Sequence, residues 1–227
     1  MYTMYERKKI SAVIFDIDGT LFDTKNGILQ AIHAVSEKSG YKKIDDSDEL
    51  SWIGPPIRDT FLNSFGMDAI EAEKATNEYR RLYIEQFITS SYVYDGVQEV
   101  LEALKRAGLY VAVATMKTEA QVRALLNAFP TMDLFDWIET ASEEGGKTKA
   151  DMIMAIMNRY QLEKNHIWMV GDTAGDEKAA REAGIPFIGV RYGYGFGQEG
   201  VYSFYTIDKP AEILDIIRGK RSLNEEY

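Results

Sequence analysis

The chain of 227 residues contains no cysteine. That excludes disulfide frameworks, thiolate zinc sites and a cysteine nucleophile. Histidine is scarce as well: the two present, His33 and His166, cannot form a Cys/His zinc cluster. No apolar run approaches the roughly 18 residues a membrane span needs. The N-terminus, MYTMYERKKI, is charged and is not followed by a long apolar segment. A secretory signal and a membrane partner are therefore not expected, and a cytoplasmic location is. Positive charge is in deficit, 26 Lys and Arg against 36 Asp and Glu, a formal net charge of -10. This disfavours nucleic acid polymers and anionic lipid as partners. An anionic substrate must instead meet a local positive site. The length suits one core with a sizeable insertion.

After "ISAVIF" at 10–15, a short β-branched and aromatic run that reads as a buried strand, the chain turns helical. In "GILQAIHAVSEKSG" the apolar Ile28, Ile32 and Val35 recur at three- and four-residue spacing, and Gly40 supplies a stop. A Gly-Pro-Pro turn precedes a helix restarting at Pro56 or Ile57, and the pattern from Asp68 to about Ser90 is helical again. No convincing strand is expected over 24–92. Thereafter strand and helix alternate. "LYVAVAT", a weaker "FDWIET", "HIWMVGD" and "PFIGV" are the strands, with helices between them and a last helix at "PAEILDIIRG". Such alternation implies an α/β fold, a parallel sheet with helices on both faces.

Ligands of such sheets bind at the carboxyl ends of the strands. The first strand ends in Asp16 and Asp18, "VAVAT" ends in Thr115 with Lys117 just after, and "WMVGD" ends in Asp172 with Asp176 following. Clustered carboxylates become stable around a hard divalent cation, and Mg²⁺ takes oxygen ligands. Asp16, Asp172 and a backbone carbonyl near Asp18 could supply them. A carboxylate can also attack phosphorus if the repulsion between anions is cancelled. Thr115 is placed to donate to a phosphoryl oxygen, and "EEGGKTKADMI" offers Lys147 and Lys149 as the cation. Asp18, one strand period beyond Asp16, would emerge on the same side and could protonate the leaving oxygen.

These residues resemble the motifs of the haloacid dehalogenase superfamily. "DIDGTLFDT" is similar to its Asp-x-Asp-x-Thr motif, "VAVATMK" to its strand ending in Thr or Ser, Lys147 or Lys149 to its lysine, and "GDTAGD" to Gly-Asp-x-x-x-Asp. All occur in order. "IGPPI" and "RYGYGFG" resemble the phosphoglycolate phosphatase-like subgroup. The resemblance implies a doubly wound, Rossmann-like core at 1–23 and 93–227 and an inserted all-helical cap at 24–92. It implies Asp16 as nucleophile and Mg²⁺ ligand, Asp18 as general acid/base offering its carbonyl to the metal, Thr115 as phosphate binder, and Asp172 and Asp176 at the metal. Of the lysines it favours Lys149, which starts a helix, with Lys147 as the alternative.

The activity so implied is Mg²⁺-dependent hydrolysis of a small phosphorylated metabolite through an aspartyl-phosphate. Within the superfamily the second aspartate suits an oxygen leaving group and argues against dehalogenation. A 5′-nucleotidase, a pyrophosphatase, a phosphosugar mutase and a phosphate-binding protein of poor turnover are the alternatives. Trp52, Arg58, Arg80, Arg81 and the tyrosines of the insertion are candidates for substrate choice, but Tyr79 and Tyr83, sharing a helix face, suit core packing better. "GYGFGQEG" lacks a strand-to-helix context for a phosphate cradle and is expected to be a mobile loop after the last strand.

Overall fold

A computed structural model describes residues 10–42, 49–130, 134–142, 145–195, 203 and 205–219. Strand β1 (Ala12–Phe15) is fully buried. Its side chains alternate between two apolar layers, Ala12 and Ile14 in one and Val13 and Phe15 in the other. A strand covered on both faces must be apolar at every position, which explains the unbroken "AVIF".

The chain then forms β2 (Phe22–Asp23) and a helical stretch. This holds α1 (Lys25–Ser39), a 3₁₀ turn at Glu49–Trp52, α2 (Ile57–Phe65) and α3 (Ala69–Leu82), which runs into a π-helical turn at Tyr83–Phe87. Gly40 ends α1 in the left-handed conformation at φ 74°, as its sequence position suggested. Asp68 caps α3 in a reciprocal box with Glu71. Ile28, Ile32 and Val35 of α1 join Phe61, Phe65 and Tyr83 in an apolar cluster that continues to Val13 and Phe15.

The stretch closes on β3 (Tyr92–Val93), antiparallel to β2 with Asp23 opposite Tyr92. The chain thus leaves and returns through a two-stranded ribbon. A strand at Tyr92 was not expected, because two residues carry no alternation to read.

The remaining elements alternate as the sequence indicated: α4 (Val97–Arg106), β4 (Tyr110–Thr118), α5 (Glu119–Ala128), β5 (Trp137–Ala141), α6 (Lys149–Tyr160), β6 (Ile167–Gly171), α7 (Ala174–Ala183), β7 (Phe187–Val190), β8 (Tyr205–Ile207) and α8 (Glu212–Ile217). The sheet order is β5-β4-β1-β6-β7-β8, every pair parallel. "PFIGV" is therefore not the last strand; β8 adds a short strand beyond it. Residues of α6 and α7 cover the Ala12/Ile14 face, and residues of α4, α5 and α8 the Val13/Phe15 face. The strand order reverses at β1, between β4 and β6, so the crevice at the carboxyl ends of these three strands is where a doubly wound sheet receives a ligand. Among the described residues no helix is long and apolar enough to cross a membrane.

Ile14 is fully buried at the centre of this sheet and Met154 is 41% exposed on α6. Ile14→Ala is expected to cost about 2–5 kcal/mol in urea unfolding, and Met154→Ala to stay within about 0.5 kcal/mol.

Candidate active site

The Asp16 amide donates to Val170 O of β6 at 3.0 Å, so the backbone is still tied to the sheet where this side chain emerges. The chain then folds into a tight turn in which Ile17 O accepts from Leu21 N and Phe22 N, both at 3.0 Å. Asp18 is aimed by this turn and not by strand alternation, because β1 ends at Phe15. Gly19 in the turn has φ 73°, and a Cβ there would lie 2.2 Å from Asp172 Oδ2. At Gly171, the last residue of β6, a Cβ would lie 2.5 Å from Asp176 Cβ. Backbone without side chains at these two positions is what lets Asp172 and Asp176 close in.

Asp16, Asp172 and Asp176 are buried and bring carboxylate oxygens within 4.8 Å of one another. Lys149 is the cation among them, with Nζ 2.8 Å from Asp16 Oδ1 and 2.5 Å from Asp176 Oδ1. It is the first residue of α6, whose start is fixed by the Thr148–Asp151 capping box. Lys147, the alternative, turns instead to Glu139 on β5.

Three carboxylates facing one ammonium leave excess negative charge in a dry site. Burial raises the Asp16 carboxyl well above its ordinary value; Lys149 opposes this and the other aspartates reinforce it. Burial, then Asp176, pushes Asp172 up to about 7 against the pull of its backbone donors. Burial alone would lower Lys149, but Asp16 and Asp176 hold its pKa above the ordinary value. The donor set is hard oxygen without thiol or imidazole, which fits a divalent cation. The Asp18 carboxylate stands outside this cluster.

Asp18 has its own cation. Lys117, 4% exposed, places Nζ 3.0 Å from Asp18 Oδ1, and Thr24 Oγ1 donates to the same oxygen. Thr115 is buried in the same strand, two residues beyond the Phe15–Val113 pair, and its Oγ1 accepts from Lys117 N at 3.3 Å. Sequence reasoning noted Lys117 only as following Thr115. The available signal was a lysine enclosed by two threonines in an apolar strand.

Tyr79 and Tyr83 stack at 5.9 Å, as a packing role requires, but Tyr83 also accepts from Lys117 Nζ at 3.2 Å. Trp52 is packed against Phe65. A cavity of about 1170 Å³ opens between Asp18, Lys117 and Lys149 on one side and Tyr79, Arg58 and Arg80 on the other. Arg58 pairs with Glu73. Arg81 is half-exposed, pairs with Glu78 and Glu85, and is not part of the lining.

Of the loop expected at 193–200, the described residues 193–195 are tied to the site by hydrogen bonds. Tyr194 N and Gly195 N donate to Asp172 Oδ2 at 2.7 and 3.3 Å. Tyr194 Oη accepts from the amides of Thr24 and Lys25 at 2.6 and 3.1 Å and donates to Asp23 at 2.8 Å. Thr24 is the N-cap of α1 but makes no side-chain cap, its hydroxyl being committed to Asp18; the tyrosine takes the orphan amides. Residues 196–200 of the expected loop lie outside the described residues.

Comparison with known proteins agrees with this geometry. The family model for haloacid dehalogenase-like hydrolases matches residues 13–190. A 5′-nucleotidase from Pseudomonas aeruginosa is 32% identical over 82% of this chain and 84% of that protein. A phosphoglycolate phosphatase from Nitrosospira multiformis is 31% identical over 84% of this chain and 87% of its own length. The crystal structure of a predicted phosphatase from Clostridium acetobutylicum superposes with a TM-score of 0.85 at 29% identity, covering 93% of this chain and all of that one.

The carboxylate cluster has a pH signature. Because Asp172 titrates near 7 when folded and near 4 when unfolded, the folded state holds more protons between these values, and stability falls as pH rises through that window. Thermal melts of the metal-free protein should therefore show lower stability at pH 8 than at pH 5. Asp172→Asn should raise the pH 8 midpoint by about 2–4 °C, and a divalent cation should stabilise the wild type more at pH 8 than at pH 5. A midpoint that rises from pH 5 to pH 8 without metal would contradict this assignment.

Proposed function

The chain belongs to the haloacid dehalogenase-like hydrolases, and we propose that it is a Mg²⁺-dependent phosphatase of small phosphomonoesters working through an aspartyl-phosphate on Asp16. The observation that carries the reading is Lys149, bonded at once to Asp16 at 2.8 Å and to Asp176 at 2.5 Å. A carboxylate cannot approach an anionic phosphoryl group unless positive charge stands at the meeting point, and this ammonium does.

Asp16 attacks phosphorus while the bond to the leaving oxygen breaks and Asp18 gives that oxygen a proton. Water then attacks phosphorus, passes a proton to Asp18, and the bond to Asp16 breaks, freeing phosphate. The Thr115 hydroxyl and the Lys149 ammonium bind the phosphoryl oxygens. Asp16, Asp172, Asp176 and the Asp18 carbonyl are the proposed metal ligands, and the ion, when bound, neutralises charge on the phosphoryl oxygens.

In this reading residues 24–92 act as a cap over a core made of 1–23 and 93–227, and the cavity between them holds the rest of the substrate. Phosphoglycolate and a nucleoside monophosphate are the two leading substrates, each supported by a relative of that name. A cytoplasmic location belongs to the same proposal.

The test is phosphate release from a panel of phosphoglycolate, nucleoside monophosphates, sugar phosphates and pyrophosphate. Chelator should abolish release and Mg²⁺ restore it, and Asp16→Asn should lower kcat by about 10³-fold or more. Release that survives Asp16→Asn, or ignores chelator, would sink the reading. Isomerised sugar phosphate in place of free phosphate would make the protein a mutase.

A further inference from the structure

Lys117 is the other buried ammonium of the site, and the hydrolytic steps above leave it without a task. It projects from β4 where the register with β5 shifts between Thr115 and Thr118. Val111 and Val113 of the same strand enter the apolar layer that holds Tyr83, and Lys117, an even number of residues further on, emerges toward the same side. The side chain is 4% exposed, so its charge must be satisfied from within. One partner is Asp18 Oδ1 at 3.0 Å. The other is Tyr83, whose hydroxyl is 3.2 Å from Nζ and whose ring centre is 4.4 Å away. Three separate parts of the chain therefore meet at one nitrogen: the turn after β1, strand β4, and the helical stretch between β2 and β3.

The arrangement on Asp18 is lopsided. The Lys117 and Thr24 donors both lie on Oδ1. Two donors on one oxygen fix the carboxylate plane and leave Oδ2 as the atom to carry the transferable proton. We propose that Lys117 is a positioning residue for the acid Asp18, and that through Tyr83 it ties the orientation of that acid to the docking of the inserted helices against β4. The inference rests on the phosphatase reading.

In the step concerned, the bond from Asp16 to phosphorus forms and the bond to the leaving oxygen breaks. The electron pair stays on that oxygen, which takes the Oδ2 proton. A well-aimed acid matters in proportion to the leaving group's need for the proton. An alkoxide needs it, whereas p-nitrophenolate departs as a stable anion. A residue that merely supports the fold would slow both alike.

The experiment compares kcat/KM, which reports the steps up to departure of the leaving group, for an alkyl monoester from the panel and for p-nitrophenyl phosphate. Lys117→Met should lower kcat/KM for the alkyl ester by about 30–100-fold, a partial loss of the roughly 10²–10⁴-fold that general acid catalysis contributes, and for p-nitrophenyl phosphate by less than about 3-fold. Lys117→Arg should recover part of the loss. Tyr83→Phe, which keeps the ring beneath the ammonium, should act in the same direction, by about 3–10-fold on the alkyl ester.

Equal losses on the two substrates overturn the proposal. So does a rise in KM with kcat unchanged, which would make Lys117 a substrate contact. If Lys117→Met does not fold, Tyr83→Phe decides: an unchanged alkyl-to-aryl ratio overturns it. A wild type silent on both substrates overturns the phosphatase reading and this inference together.

Discussion

Lys149 holds together groups that would otherwise force the site apart. Asp16, Asp172 and Asp176 are almost wholly removed from water, and the lysine ammonium bonds directly to two of them. Burying like charges is among the most unfavourable things a fold can do. Much of the local architecture follows from making it tolerable. The amides of Tyr194 and Gly195 turn toward Asp172, and Thr173 gives its amide and hydroxyl to Asp176. Gly19 and Gly171 remove the side chains that would obstruct the approach. A cluster so supported is still short of positive charge, and that deficit is the ground for proposing a cation there.

The second layer of organisation joins the inserted helices to the sheet. The chain crosses between them at only two places, β2 and β3, and these pair with each other. Around that crossing Asp23 accepts from Tyr92 at 2.7 Å and from Tyr194 at 2.8 Å. Tyr194 thus reaches Asp172 through its backbone and the start of α1 through its hydroxyl. The helical stretch and the carboxylates are thus linked through the hydrogen bonds of one tyrosine.

Much of this was legible in the sequence, and the reasons are particular. "AVIF" reads as a doubly covered strand because each of its side chains has an apolar layer to enter. Asp16, Thr115 and Asp172 are legible because each terminates such a run. The two lysines near 148 are not separable by spacing; the capping box that starts α6 at Lys149 is what carries one inward while the other turns to β5. Tyr83 and Lys117 were hidden for a different reason. They come from strand β4 and from the helical stretch, far apart in the chain, and no spacing in the sequence pairs them. The strands β2, β3 and β8 escaped notice through sheer shortness. Tyr194 was missed because glycines on either side suggested looseness, when close packing against Asp172 is what requires them.

The buried aspartates are proposed as a cation site that the ion completes. Calorimetric titration of Mg²⁺ into the wild type and into Asp172→Asn tests it most directly. One ion per chain is expected in the wild type, and loss of that binding in the variant. Binding that is absent from the wild type, or that persists undiminished in Asp172→Asn, would contradict it.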